Sequence, residues 1–150
     1  MKKILSIMIV VWGIAVLCTL FLSSCKRPEV LDNSTLVNSA RNVALTFGPA
    51  YVPFFKEANV SDVQVFKKKD YGGDSRPQIR KQIGRKFYTV TFTYDSTAVK
   101  FDFGFAARVR IWKDTGEPLD VIFGNGWGRN FFFLSFKEQT DHSANDYEKV

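Results

Sequence analysis

The sequence predicts an α+β domain in which an N-terminal helix packs on a curved antiparallel sheet of about five strands. Three observations carry that expectation. Leu36, Val37, Ala40, Val43, Ala44 and Phe47 recur at three- and four-residue spacing, which is the period of one helix face. Residues 87–94 alternate Tyr88, Val90, Phe92 and Tyr94 with Thr89, Thr91 and Thr93, the period of a strand. Further apolar runs of strand length then follow at 99–105, 108–112, 119–123 and 131–136, joined by short turn-rich stretches.

In chain order, Asn33, Ser34 and Thr35 offer capping side chains at the start of the helix, and Gly48-Pro49 ends it because proline cannot continue the hydrogen-bond ladder. Tyr51, Val52, Phe54 and Phe55 then make a second short helix or a packed turn. Val63 and Val65 flank Gln64 in a strand-like pattern that runs into Lys67-Lys68-Lys69. Residues 67–86 form a long basic connection, in which Ile79 and Ile83 suggest a short amphipathic turn. After the Phe87 strand, Val99, Phe101, Phe103 and Phe105 alternate with Lys100, Asp102 and Gly104. The stretch Lys113-Asp114-Thr115-Gly116-Glu117-Pro118 joins the next two runs as a hairpin. Phe131-Phe132-Phe133 places aromatics on both faces of a final strand, which predicts either burial on both sides or one face offered to a partner. Residues 139–150 are a polar tail.

The N-terminus is different in kind. Lys2 and Lys3 precede 19 uncharged residues, Ile4 to Leu22, a basic start and an apolar core that read as an export signal. The order Leu22-Ser23-Ser24-Cys25 resembles the lipobox of bacterial lipoproteins. That resemblance implies cleavage before Cys25, diacylglycerol on its thiol and an acyl chain, such as palmitate, on the new amino terminus. It gives a signal peptide at 1–24, a tether at 25–33 and a single domain at 34–138. Cys18 does not fit, since bulky Leu17 precedes it. The other reading is an uncleaved transmembrane helix, because the apolar run is long enough to span a bilayer. Both readings place the body outside the cytoplasm, unless the helix inserts reversed. Lys26, where some lipoproteins have an aspartate, resembles outer-membrane cargo facing the periplasm.

The body is similar in element order to cystatin-like and NTF2-like domains over most of residues 33–137. A weaker likeness, to PepSY-type domains, rests on Tyr88-Thr89-Val90 and Asp114-Thr115-Gly116-Glu117.

Composition limits the chemistry. With 45% hydrophobic residues the chain can fill a core, so wholesale disorder is excluded. Two cysteines make no disulfide framework, and one histidine, His142, leaves no cysteine-rich or histidine-cluster metal site; no cofactor is expected. His142 lies in the polar tail, so no Ser-His-Asp arrangement forms without it. Asp95, Asp102, Asp114, Glu117 and Asp120 keep two-carboxylate catalysis open. Asp95 and Asp114 suit turns, and Asp102 and Asp120 suit solvent-facing strand positions.

Two stretches offer binding surfaces. Residues 67–86 hold eight basic residues, including Arg80, Lys81, Arg85 and Lys86, against Asp70 and Asp74. The whole chain carries +6, and losing Lys2 and Lys3 with the leader leaves +4, so this segment holds the surplus. A basic loop on an anchored protein suits anionic headgroups or an acidic envelope partner, while export removes nucleic acid as a partner. The other stretch is Gly124-Asn125-Gly126-Trp127-Gly128-Arg129. It lacks the lysine-hydroxyl ending of a phosphate loop, and Trp127 with Arg129 suits partner recognition. The sequence thus favours a lipid-anchored, non-catalytic interaction module in the bacterial cell envelope, with no catalytic residues assigned and the membrane bound through Cys25. The alternative is an envelope enzyme with carboxylate acid and base residues in an NTF2-like pocket.

Overall fold

A computed structural model describes residues 31–140. The leader, Cys25, the start of the tether and His142 lie outside the described residues. The fold class is the expected one. Helix α1 (Asn33–Phe47) packs on an antiparallel sheet built from β1 (Ala58–Val60), β2 (Gln64–Val65), β3 (Lys86–Phe92), β4 (Ala107–Trp112), β5 (Pro118–Phe123) and β6 (Gly128–Asn130). The strand order is β1-β3-β4-β5-β6, with β2 pairing the other end of β3.

Helix α1 forms where the apolar period predicts it, but its cap is Asp32, one residue before the three capping candidates. The Asp32 carboxylate accepts from the Thr35 backbone N–H at 2.7 Å and from the Ser34 hydroxyl at 3.0 Å, which satisfies a helix-start donor. Leu36, Ala40, Val43 and Ala44 are buried against Val90, Phe92, Val109, Ile111, Val121 and Phe123. Each large aliphatic side chain buried there contributes roughly 1.5–3 kcal/mol relative to exposure. At the helix end, a Cβ on Gly48 would lie 2.3 Å from the Phe123 ring, so only glycine lets the helix terminus close on β5. Pro49–Phe54 continues as a 3-10 turn.

The opposite face of the sheet carries a second core. Phe66 and Ile79 are fully buried there against Phe87, Trp112 and Leu119, with Tyr71 and Phe132 at its margin. Residues 67–86 are therefore not a solvated loop. A 3-10 turn (Lys68–Tyr71) and helix α2 (Pro77–Arg80) fold them over the sheet, and Ile79 is the pin. Ile83, four residues on, stays exposed.

Two expected strands are absent, each for a local reason. Residues 99–105 do not pair as a strand. Asp95 closes a turn by accepting from the N–H and hydroxyl of Thr97, and its carbonyl accepts from Ala98 and Val99. That turn sends the chain across the sheet end, where Phe101 packs on Tyr51 and Tyr94 instead of on a neighbouring strand. The run at 131–136 is also irregular, and a helical turn follows at 136–140. It wraps the sheet edge, so Phe131 and Phe136 meet Phe47 on the helix side while Phe132 meets Phe66 and Tyr71 on the other. The last strand among the described residues is β6, immediately before that run, where Arg129 pairs with Val121.

Candidate functional site

The candidate residues fall at opposite ends of the sheet. Phe87 pairs with Trp112 at one end of β3 and β4, whereas Phe92 pairs with Ala107, and Ala107 with Phe123, at the other. Trp127 and Arg129 belong to the Phe123 end. Arg85 and Lys86 belong to the Trp112 end, and Arg80 and Lys81 follow Ile79 over the core behind it.

The Phe123 end is a run of touching rings. Phe54 meets Phe101 edge-on at 5.8 Å, Phe101 meets Tyr51 at 5.5 Å, Tyr51 stacks on Phe123 at 4.7 Å, and Phe123 stacks on Trp127 at 5.5 Å. Phe103 joins from the side: its N–H donates to the Gly124 carbonyl at 2.9 Å and its ring lies against Gly126. The loop is tightened by Asn125, whose side chain accepts from the Trp127 N–H at 3.0 Å. A positive φ of 84° at Gly126 completes the turn, a conformation that glycine adopts without a Cβ clash. Phe54, Phe103 and Trp127, from the 3-10 turn and two loops, remain 39%, 46% and 43% exposed. Arg129 lies 5.9 Å from the Trp127 ring and 5.7 Å from that of Phe47, within cation-π range.

At the Trp112 end, the Arg85 guanidinium lies 4.0 Å over the Trp112 ring and binds both oxygens of Asp114, at 2.7 and 3.0 Å. That contact holds the Asp114 carboxyl below its ordinary value. The Lys113 N–H donates to the Lys86 carbonyl at 2.9 Å, which joins the hairpin tip to the end of the basic segment. The acids of that segment are spent locally: Asp70 accepts from the Lys67 backbone N–H, and Asp74 pairs with Arg76.

Between the ends, the uncovered part of the helix-free face forms an open groove of about 500 Å³ along Ser61, Thr89, Thr91, Arg108, Arg110 and Ile122. A second crevice, about 360 Å³, lies between the hairpin and the Phe131 run. Asp70 is the one carboxylate in the first and Glu117 the one in the second. Asp120 corrects the expectation of a solvent-facing strand carboxylate: it is 5% exposed and bound by both Nε and Nη2 of Arg110. Asp120 keeps the regular register opposite Arg110, on the face away from Val121 and Phe123, and that face is covered by the Arg110 side chain; the register shift between Arg110 and Ile111 then brings Leu119 into the second core. Burial pushes the Asp120 carboxyl up, and the guanidinium opposes that shift. Asp102 is exposed as expected.

Among the described residues, no group of His, Cys, Asp and Glu is assembled for a metal ion, and no helix is long and apolar enough to cross a membrane. No family model, curated protein or solved structure matches the chain. The lipoprotein, cystatin-like and NTF2-like resemblances thus rest on the lipobox residues and on element order.

What sequence reading missed at the aromatic end is its breadth. Trp127 is visible in the sequence, because an indole between glycines stands out, but Phe54 reads as part of a packed turn and Phe103 as part of a strand. The composition gave one clue: 14 of 15 phenylalanines lie beyond residue 24, more than a single strand-helix interface requires.

Proposed function

We propose that the chain is a lipid-anchored protein of the bacterial envelope, held by Cys25, that acts as a non-catalytic interaction module and takes a partner protein on its aromatic end. The observation that carries this reading is the collection of Phe54, Phe103 and Trp127, each about two-fifths exposed, from a 3-10 turn and two loops onto one end of the sheet. Exposed aromatics on a rigid base are the residue types that dominate protein interfaces, because they bury large area at small entropic cost. Their base is rigid here, since each ring packs on a buried or half-buried one, Phe54 edge-on against Phe101, Phe103 stacked on Phe105 and Trp127 stacked on Phe123. Against the enzyme reading stands the disposition of the carboxylates: the buried one is consumed by Arg110, and each groove is lined by one acid rather than a pair.

A photo-crosslinker placed at position 103 or 127 in the native host tests the partner surface. Both positions should capture the same envelope protein, position 81 should not, and Trp127→Ala should abolish capture from position 103. Capture from all three positions, or from none, defeats the reading. The anchor is tested separately by intact mass: loss of residues 1–24 with acyl mass on Cys25, both blocked by Cys25→Ser. An unmodified N-terminus in the native host refutes it.

A further inference from the structure

The two ends of the molecule differ in how they stand to the anchor. Leu31, the first described residue, packs on the core, and its Cδ2 lies 3.4 Å from the place a Gly116 Cβ would occupy. Gly116 is in the hairpin between β4 and β5, beside Lys113. Six peptide steps separate Cys25 from Leu31, a reach of at most about 22 Å when fully extended. Helix α1 then runs from this end to Phe123, 15 residues or about 22 Å. The chain therefore leaves the body at the Trp112 end, with the aromatic end one helix length away.

We infer that the Trp112 end, where Lys86 and Lys113 adjoin and Ile83 stands out between Lys81 and Arg85, is a membrane-contact face that rests on anionic lipid headgroups around the Cys25 anchor. The inference rests on the anchoring proposed above and adds the orientation of the body. Charge is its first support. Lys67, Arg80, Lys81, Lys86 and Lys113 are exposed, while Asp70, Asp74 and Asp114 are engaged in local hydrogen bonds. Each Lys or Arg brought near an anionic membrane surface is worth roughly fivefold in binding. Shape is its second. Gly84, at φ 90°, makes a tight turn that leaves Ile83 45% exposed amid these cations, and Val65, opposite Lys86 in the sheet, is 43% exposed. Apolar side chains framed by lysine and arginine match a headgroup layer, which has charge outside and acyl chain beneath. With this face on the bilayer, the aromatic end, one helix length away, is directed outward.

Hydrogen exchange on the full chain purified from host membranes tests this, in lipid discs of phosphatidylcholine alone and of equal parts phosphatidylcholine and phosphatidylglycerol. In the anionic discs, amides at 79–86 and 113–117 should exchange at least about tenfold more slowly, and those at 101–105 and 124–128 should be unchanged. Salt at 1 M, which cuts the screening length to about 3 Å, should remove the difference, as should Arg80→Gln, Lys81→Gln and Lys86→Gln combined. Equal protection in both discs, protection at 124–128 instead, or protection that appears only on adding envelope proteins overturns the inference. Intact mass of the same sample reads the anchor independently, because the apolar run 4–22 keeps an unprocessed chain in the disc.

Discussion

Arg110 and Asp120 are direct partners across β4 and β5, and together they form a charged pair between the core of Phe66, Phe87 and Trp112 and the open groove that Arg110 lines. The guanidinium Nε lies 2.9 and 3.0 Å from the two carboxylate oxygens, and the Arg110 head also stands 5.4 Å from the Phe87 ring and 5.9 Å from that of Phe66. Asp120 is the buried polar residue among the described residues. A buried ion pair contributes little net stability, because two desolvations offset the attraction, yet losing one partner leaves an uncompensated charge.

Arg110→Met should therefore destabilise the protein by about 3–5 kcal/mol, whereas Arg110→Met with Asp120→Leu should recover most of that loss. Urea denaturation of the two variants checks this. A single substitution costing less than about 1 kcal/mol would show that water reaches Asp120 and that the pair is not sealed.

Ile79 fixes the basic segment to the sheet, and Ile79→Ala should cost about 2–5 kcal/mol. The distinguishing readout is local. Amides at 76–86 should exchange faster in the variant at equal denaturant-corrected stability, whereas β4 and β5 should keep their protection. Unchanged exchange at 76–86 would mean that the segment is held without Ile79.

The fold class was legible because α1 and β3 carry clean periods, and because Gly48-Pro49 marks the helix end. The second core was hidden for a physical reason. Its residues come from places that read separately as loop (Phe66, Ile79), strand (Phe87, Trp112, Leu119) and apolar run (Phe132), and long-range packing leaves no local period. Alternation misled at 99–105 for a related reason. An extended chain that crosses the end of a sheet alternates like a strand, and only the Asp95 turn distinguishes the two. Asp120 reads as solvent-facing because alternation puts it on the face away from Val121 and Phe123, and nothing local shows that Arg110 and the second core cover that face. Of the binding candidates, residues 80–86 and 127–129 stood out by charge and by glycine context, but nothing in the sequence placed them at opposite ends.

Gly124 and Gly72 separate two uses of glycine. A Cβ at Gly124 would lie 2.5 Å from the Phe105 carbonyl oxygen and 2.6 Å from the Phe101 ring, a clash that backbone cannot absorb cheaply. Gly124→Ala should cost about 1–3 kcal/mol and disturb the aromatic end. Gly72 has open space but φ 61°, so Gly72→Ala should cost only about 1 kcal/mol. Thermal denaturation of both checks the order, and Trp127 fluorescence should change only for Gly124→Ala.

Acid should weaken the protein through carboxylates that the fold holds ionised. Asp32 is lowered by the Thr35 backbone N–H, Asp114 by Arg85, and Asp95 by Lys56 and Thr97, each from an ordinary value of 3.8. A carboxyl with a depressed folded value contributes stability that is present above its unfolded value and lost as pH falls through the folded one. The contribution of these three carboxyls should thus be level above about pH 5 and decline from about pH 4 downward, while Asp120, whose carboxyl burial raises, acts in the opposite sense. Asp114→Asn should make that decline shallower, since the neutral amide keeps the shape but not the charge that binds Arg85. Asp32→Ala should lower stability near neutral pH through the lost cap. Urea midpoints measured between neutral pH and acid decide the matter, and an acid limb equally steep with and without Asp114 would assign the loss to other groups.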